Sequence, residues 1–207
     1  MPTKLFFELN RDKQIKILSA AISEFATHGY TNSSTNSIVK NCGISKGSLF
    51  KYFDNKEELY FYILDTVTAE FAESIGAQAV NLSQELFERI IEYSALEFSW
   101  YIQNPEKSKL IVSAFTKSDT KIYQKTVARY SAKELDMYCG LLKDVDFSNY
   151  RCDKQKAVEI LKWVLKGFND DFAESVQNES YSFEHLHDEY VRSLTGYIEI
   201  LKSGFLK

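Results

Sequence analysis

Residues that interrupt regular secondary structure are rare in this chain. Its 207 residues include only two prolines and eight glycines. Because these two residues mark most turns between short strands, their scarcity favours long helices. The 44% of hydrophobic residues suffices for a substantial core, and the 26% of charged residues is ordinary for a globular protein. We therefore predict an all-α fold.

The cellular setting is indicated by what the sequence lacks. No stretch approaches the ~18 uninterrupted apolar residues of a membrane span, and the opening MPTKLFFELNRDKQ has no long apolar segment. The cysteines, Cys42, Cys139 and Cys152, are odd in number and far apart, which is atypical of a disulfide framework. We expect a protein of the reduced cytoplasm with no membrane partner.

The charge is unevenly distributed along the chain. The net charge is −4, yet the segment from Ser33 to Lys56 holds four lysines and one acid, a local balance of +3. The remainder therefore carries −7. A small basic region on an acidic body suits local contact with phosphates, although four exposed lysines in some twenty residues are also unremarkable.

The N-terminal third predicts a series of short capped helices after a first long one. Asn10 can cap a first helix from about Arg11 to His28, in which Ile15, Leu18, Ile22 and Phe25 recur at helical spacing. Gly29 is suited to end that helix in a left-handed conformation.

Two shorter helices and a long one are predicted next. Ser33 is an N-cap candidate for the first short helix, the break at 41–43 ends it, and Ser45 begins the second. Asn55 would then cap a long helix that ends near Gly76. Two short helices joined by a tight turn and followed by a connecting helix are typical of a helix-turn-helix unit.

The same residues carry a family resemblance. The stretch GYTNSSTNSIVKNCGISKGSLFKYFDNKEELYFYIL resembles the signature of the TetR family: a glycine–aromatic pair, a short helix, G-[VI]-S-x-G-[ST]-[LI]-[YF]-x-[YH]-F and a K-E-x-L helix start. The resemblance spans about Lys13 to Leu64 and, being multi-part, is more specific than a lone motif. It implies an N-terminal three-helix helix-turn-helix domain over 1–54 and a C-terminal antiparallel helical domain for ligand binding and dimerisation over 55–207.

The start of the second short helix is the predicted reader of DNA sequence. A recognition helix presents its first turns to the major groove, and Lys46 and Ser48 would point outward there. Gly47 has no side chain where helix and DNA backbone must come close, although a tolerated helix-start glycine is the alternative.

The resemblance implies further contacts with double-stranded DNA. The full predicted set is Ser33, Ser34, Asn36, Ser45, Lys46, Gly47, Ser48, Lys51, Tyr52 and Lys56. Lys46 and Ser48 are expected to give specificity, and Ser34, Tyr52 and Lys56 affinity. Phe50 departs from the tyrosine common in the family, which removes one phenol contact.

The body after Leu82 is predicted to contain five helices, over 83–103, 106–117, 120–142, 153–177 and 182–202. The first of these has apolar residues on most sides, and Glu97 interrupts one apolar stripe. Glu97 would either lean towards solvent or line a ligand pocket. Candidate pocket residues for an unknown small-molecule effector, each with core packing as its alternative, are Glu97, Tyr93, Tyr101, Phe115, Trp163, Phe168 and Phe172.

The last two predicted helices carry regular apolar stripes. The stripe residues are Val158, Leu161, Leu165, Phe168 and Phe172, then Leu186, Tyr190, Leu194, Tyr197 and Leu201. In the resembling family these helices form a four-helix dimer interface, and two spaced half-sites of DNA call for a homodimer. Each stripe could equally be intramolecular core.

Other function classes find little support. The sequence contains no glycine-rich phosphate loop, G-x-S-x-G elbow or H-E-x-x-H motif, so we expect no enzyme and no cofactor. His185 and His187 diverge on a helix, and His185 with Glu189 gives too few ligands, so we expect no metal. The resemblance implies a ligand-responsive transcriptional repressor that binds a palindromic operator as a homodimer and is released by a small molecule. The alternatives are a ligand-binding module without DNA function and a helical scaffold, and a test of duplex binding separates them.

Overall fold

The computed structural model describes residues 1–116, 120–142, 145–175 and 183–205, and these are all helical or irregular. The described residues form ten α-helices, which confirms the predicted fold class. They are α1 (Lys4–Phe7), α2 (Arg11–Asn32), α3 (Thr35–Cys42), α4 (Lys46–Tyr52), α5 (Lys56–Ala79), α6 (Leu86–Gln103), α7 (Pro105–Phe115), α8 (Lys121–Leu141), α9 (Lys154–Ser175) and α10 (Phe183–Phe205). A short 3₁₀ helix at Phe147–Asn149 lies in the connection between α8 and α9.

Three predicted helix caps are confirmed. The Lys13 N–H donates to Asn10 Oδ1 at 2.9 Å, and the Ser48 N–H donates to Ser45 Oγ at 3.0 Å. Asn55 Oδ1 accepts from the N–H of Glu58 at 2.9 Å. Each bond satisfies an amide that has no partner within its helix, so the helix starts are set by local sequence.

Other local predictions need correction. The residue at the N-cap of α3 is Ser34, not Ser33, and its side chain makes no cap bond. Gly29 has a positive φ of 63°, as a left-handed glycine would, but its ψ is 178°, and the chain then resumes helical geometry so that α2 continues to Asn32. Ile15 is half exposed, because the buried face of α2 runs through Ile17, Ala21, Glu24 and Phe25 instead.

The body helices lie close to the predicted ranges, and Pro105 is the first residue of α7. Three predicted helix boundaries lie outside the described residues, at 117, 177 and 182. The side chain of Cys139 also lies outside them. None of the helices within the described parts of the chain combines the length and hydropathy needed to cross a membrane.

The chain packs as two compact units. The first unit comprises Met1–Ser74 and Gln103–Arg129, and the second comprises Ile75–Ile102 and Tyr130–Lys207. This division follows packing and differs from the predicted boundary at 54 and 55. Because packing does not tell which segment binds DNA or ligand, the functional boundary stays a prediction.

Each unit has its own apolar core. In the first unit, fully buried side chains come from α1 to α5 and include Phe6, Ile17, Phe25, Ile38, Leu49 and Phe53. In the second unit, α6, α9 and α10 bury a continuous cluster that includes Phe87, Ile90, Leu161, Leu194 and Ile198. Burial on this scale contributes about 1.5–3 kcal/mol per large side chain and holds the helices in place.

Candidate nucleic-acid interface

The turn between α3 and α4 is built around Gly43. This residue is left-handed, with φ of 69° and ψ of 33°. The Ile44 N–H donates to the carbonyl of Val39 at 3.0 Å, so the turn reuses a carbonyl left open at the end of α3. The tight turn brings α4 back across α3, as a helix-turn-helix unit requires.

Helix α4 has one buried and one exposed face. Leu49 and, just after the helix, Phe53 are 1% exposed and form its core side. Lys46 and Lys51 are exposed on the opposite side, together with Phe50. The outward face is therefore basic and polar, with one aromatic ring available for contact with sugar or a thymine methyl group.

The first turn of α4 is ordered by a pair of serines. Ser45 Oγ accepts the Ser48 N–H, and the two hydroxyl oxygens lie 2.9 Å apart in a second hydrogen bond. Ser48 is half-buried and Ser45 exposed. The Ser48 hydroxyl is thus held in one position at the predicted edge of the major groove, which suits a base contact.

Gly47 is not required by the protein itself. Its backbone is ordinary helix, and a Cβ placed there would meet only Ser45 Oγ at 3.9 Å. Since alanine would be the better helix former, nothing within the chain accounts for a glycine here. The open space favours the prediction that another molecule approaches the backbone at this point.

Tyr52 is less accessible than its predicted role suggests. Tyr52 is 9% exposed, and the centroid of its ring lies 6.3 Å from that of Phe6. The ring therefore packs at the end of α4 within the first unit. The assignment of Tyr52 as a phosphate contact stays a prediction.

The connection between α2 and α3 is held by two charged side chains. The buried carboxylate of Glu24 accepts the Ser34 N–H at 2.7 Å. The Lys56 ammonium donates to the carbonyl of Ser33 at 2.6 Å and to that of Thr31 at 3.4 Å. Burial lowers the pKa of Lys56, and the charge of Glu24 acts in the opposite direction.

Lys56 also lies 4.8 Å above the ring of Tyr30. Lys56, which is predicted to contribute to affinity for DNA, therefore binds the protein backbone here and orders the chain before α3. Glu24 was missed by the sequence analysis. Its signal was a carboxylate on the same helical face as Ile17 and Ala21.

The three predicted DNA contacts at the start of α3 differ in accessibility. Ser33 is buried, and its hydroxyl donates to the carbonyl of Tyr30 at 2.9 Å. Asn36 is exposed and Ser34 half-buried. Ser34 and Asn36 thus remain accessible for contact with DNA, whereas the side chain of Ser33 supports the turn.

The predicted ligand-pocket residues fall into separate places. Trp163, Phe168 and Phe172 line one open groove of about 450 Å³ on α9 and α10, with Tyr197 and Asp171. Phe115 belongs to the first unit and is 37% exposed. The groove is apolar on most of its lining and opens to solvent, so it is a surface feature of the second unit.

Glu97 and Tyr93 lie together on α6. Burial raises the pKa of Glu97 to about 7, and the hydrogen bond with Tyr93 acts in the opposite direction. The residue is half-buried overall, while its carboxyl group is surrounded by protein. Tyr101 is also half-buried and packs edge-on against Trp100.

No group of three acidic, histidine or cysteine side chains that could hold a metal is present among the described residues.

The helix-turn-helix geometry of α3 and α4, on an otherwise helical chain, defines the class of protein. It is a helix-turn-helix protein with a helical body.

Known proteins that resemble this chain are bacterial transcriptional regulators. Residues 17–63 match the family model for bacterial regulatory proteins of the tetR family. The transcriptional repressor AcnR of Corynebacterium glutamicum is 25% identical over 169 residues, which cover 81% of this chain and 85% of AcnR. In two other curated relatives the matched segment covers 32% and 19% of the relative, so this chain spans about a third of their length or less.

Solved structures show the same fold. A TetR family regulator from Chloroflexus aurantiacus J-10-FL aligns with a TM-score of 0.71 at 20% identity, covering 100% of this chain and 99% of that one. The regulator FadR from Bacillus subtilis, solved in complex with stearoyl-CoA, aligns with a TM-score of 0.66 at 17% identity, covering 87% and 97%. The chain therefore has the fold of TetR family regulators, and its helix-turn-helix segment matches the model of that family.

Proposed function

We propose that this protein is a homodimeric transcriptional repressor that binds a palindromic DNA operator and releases it when a small molecule binds. The observation that carries the proposal is the outward face of α4. It presents Lys46, the bare backbone of Gly47 and the fixed hydroxyl of Ser48 at the first turn of an exposed helix. These are the features through which a recognition helix reads base edges and approaches a phosphate backbone.

Affinity is expected to come from charge near the helix-turn-helix unit. Lys40, Lys46 and Lys51 are exposed on α3 and α4. Each lysine that neutralises a phosphate releases counterions, so binding should weaken as the salt concentration rises. The acidic remainder of the chain would oppose contact elsewhere and confine DNA to this surface.

The homodimer is supported by an apolar face on α9 and α10. Trp163, Tyr197 and Ile200 are 69%, 58% and 71% exposed, respectively. Large apolar side chains exposed together mark interaction surfaces, and a symmetric dimer would cover them in both copies. A dimer with half-sites one turn of DNA apart, roughly 34–36 Å, would then place two recognition helices on one face of the duplex.

The effector is proposed to bind within the helical body. The described part of the second unit is rich in aromatic rings, including Phe98, Phe168 and Tyr190, and contains the buried carboxyl group of Glu97. A ligand that favours one arrangement of the body over another shifts the population of the DNA-competent state. The complex of FadR with stearoyl-CoA gives a precedent for ligand binding on this fold.

Selection of bound duplexes from a random DNA library at moderate salt tests the proposal. The wild type should enrich a palindrome, and Lys46→Ala should lose that enrichment. Lys109→Ala is the matched control, because Lys109 is an exposed lysine on α7 of the same unit. Absence of any enriched sequence with the wild type would overturn the proposal and favour a ligand-binding module without DNA function.

A further inference from the structure

The segment that precedes α2 docks onto the end of the recognition helix. It lies outside the stretch matched to the family, which begins at residue 17. Pro2 and Phe6 in this segment are buried, and α1 packs against α4. A four-residue helix has little stability of its own, so its order depends on these contacts.

Thr3 binds the last carbonyls of α4 twice. Its backbone N–H donates to the carbonyl of Tyr52 at 2.9 Å, and its hydroxyl donates to the carbonyl of Lys51 at 2.7 Å. The last four carbonyls of an α-helix have no partner within the helix. Thr3 therefore acts as a C-terminal cap that comes from a distant part of the sequence.

Phe6 fixes the same end of α4 through packing. Its side chain is fully buried, with ring centroids 5.0 Å from Phe53 and 5.7 Å from Tyr62 of α5. It also contacts the ring of Tyr52. Phe6 thus joins the end of the recognition helix to the long helix that follows it.

We propose that Thr3 and Phe6 are positioning residues for the recognition helix. With only seven residues, α4 cannot hold its own direction. Ser45 caps its start, and the segment around Thr3 and Phe6 secures its end, so that Lys46 and Ser48 are presented at a fixed angle. The expected effect on DNA binding rests on the proposed function, whereas the docking of this segment onto α4 can be measured without DNA.

Thr3→Val tests the inference, because valine keeps the shape of threonine and removes the hydroxyl that bonds Lys51. The matched control is Thr27→Val, since the exposed Thr27 hydroxyl bonds a backbone carbonyl within α2 at 2.8 Å. The first readout is amide hydrogen exchange of the free protein. Thr3→Val should speed exchange about fivefold at residues 49–53, the loss expected for one hydrogen bond, and leave core amides of α5 unchanged.

The second readout is DNA binding, measured with the duplex selected by the wild type and with a random duplex of equal length. Thr3→Val should weaken binding to the selected duplex about fivefold and leave random-duplex binding unchanged, because phosphate contacts remain. Thr27→Val should change neither quantity.

The outcomes separate the two proposals. Unchanged exchange in α4, or faster exchange throughout the unit, would overturn the positioning role. An equal loss on both duplexes with unchanged exchange would show instead that the segment touches DNA itself, which also overturns it. If the wild type selects no duplex, the proposed function fails, and the exchange measurement still decides whether Thr3 secures α4.

Discussion

Glu97 carries a carboxyl group whose pKa is raised by burial to about 7, compared with an ordinary value of 4.5. Between these two values the folded protein holds a proton that the unfolded chain releases. Proton binding by Glu97 therefore contributes fully to the free energy of unfolding below a pH of about 4.5, and this contribution is lost as the pH rises through 7. A buried carboxyl group of this kind is retained at a stability cost, which is typical of functional sites.

We expect Glu97→Gln to remove this part of the pH dependence. The amide stays neutral, so the variant should be more stable than the wild type at a pH of about 8, by on the order of 2 kcal/mol, and similar to it near pH 5. Urea unfolding followed by circular dichroism at both pH values checks the difference. Parallel pH profiles for the two proteins would show that the Glu97 carboxyl is solvated.

At the scale of elements, α5 and α8 are joined along one face within the first unit. Glu57 pairs with Lys125 at 2.6 Å, and Asp65 pairs with Arg129. Between these ion pairs lies Thr126, which is fully buried. Exposed ion pairs contribute roughly 0–1 kcal/mol each, so the buried contact matters more.

The buried contact is a hydrogen bond between Tyr60 and Thr126. Burial raises the pKa of Tyr60 to about 12, and the bond to Thr126 acts in the opposite direction. The Thr126 hydroxyl donates to the carbonyl of Ile122 at 2.9 Å, within α8.

Thr126→Val should lower the free energy of unfolding by about 1–3 kcal/mol, because it leaves the Tyr60 hydroxyl buried without its partner. The double variant Thr126→Val, Tyr60→Phe should recover part of that loss. Lys125→Ala, which breaks only an exposed pair, should cost less than about 1 kcal/mol. Chemical denaturation measures all three, and equal losses for Thr126→Val and Lys125→Ala would contradict the account.

The sequence predicts the elements that depend on neighbouring residues. Asn10, Ser45 and Asn55 cap their helices through side chains three residues from the amides they bind, so the pattern alone revealed them. The sequence also predicts the break at Gly29, which has a positive φ, but not the helical turn beyond it, because Lys56 holds that turn from 25 residues away.

Features that depend on tertiary contacts could not be predicted from local patterns. Helix α1 forms because Phe6 is buried among rings of α4 and α5, and its four residues carry no helix signal of their own. For the same reason the sequence did not show that Ser33 and Tyr52 are buried, whereas Lys46 is exposed.

At the scale of the whole molecule, the apolar stripes of α9 and α10 are mostly intramolecular. Leu161, Leu165, Tyr190 and Leu194 lie in the core of the second unit. The exposed apolar residues include Tyr197 of the predicted stripe together with Trp163 and Ile200 outside it, and periodicity alone did not separate them from the core. The choice between core and interface therefore needed the packing of the described helices.

Ile200→Asp should convert the proposed dimer into a monomer, because a charge at an apolar interface must be desolvated without a partner. Val112→Asp is the control, since Val112 is 59% exposed on α7. Light scattering after gel filtration gives the mass of each variant. A dimeric Ile200→Asp protein, or a wild type that is a monomer at micromolar concentration, would contradict the proposed interface.

The start of α4 is proposed to lie against DNA, and Gly47→Ala probes that contact. Nothing in the chain opposes a Cβ at this position, so we expect the unfolding free energy to stay equal or rise by up to about 1 kcal/mol. Affinity for the selected duplex, measured by fluorescence anisotropy, should nevertheless fall tenfold or more. The control Gly76→Ala makes the same change at an exposed site in α5 and should leave affinity unchanged. If Gly47→Ala binds the duplex as tightly as the wild type does, the first turn of α4 does not approach DNA and the account is wrong.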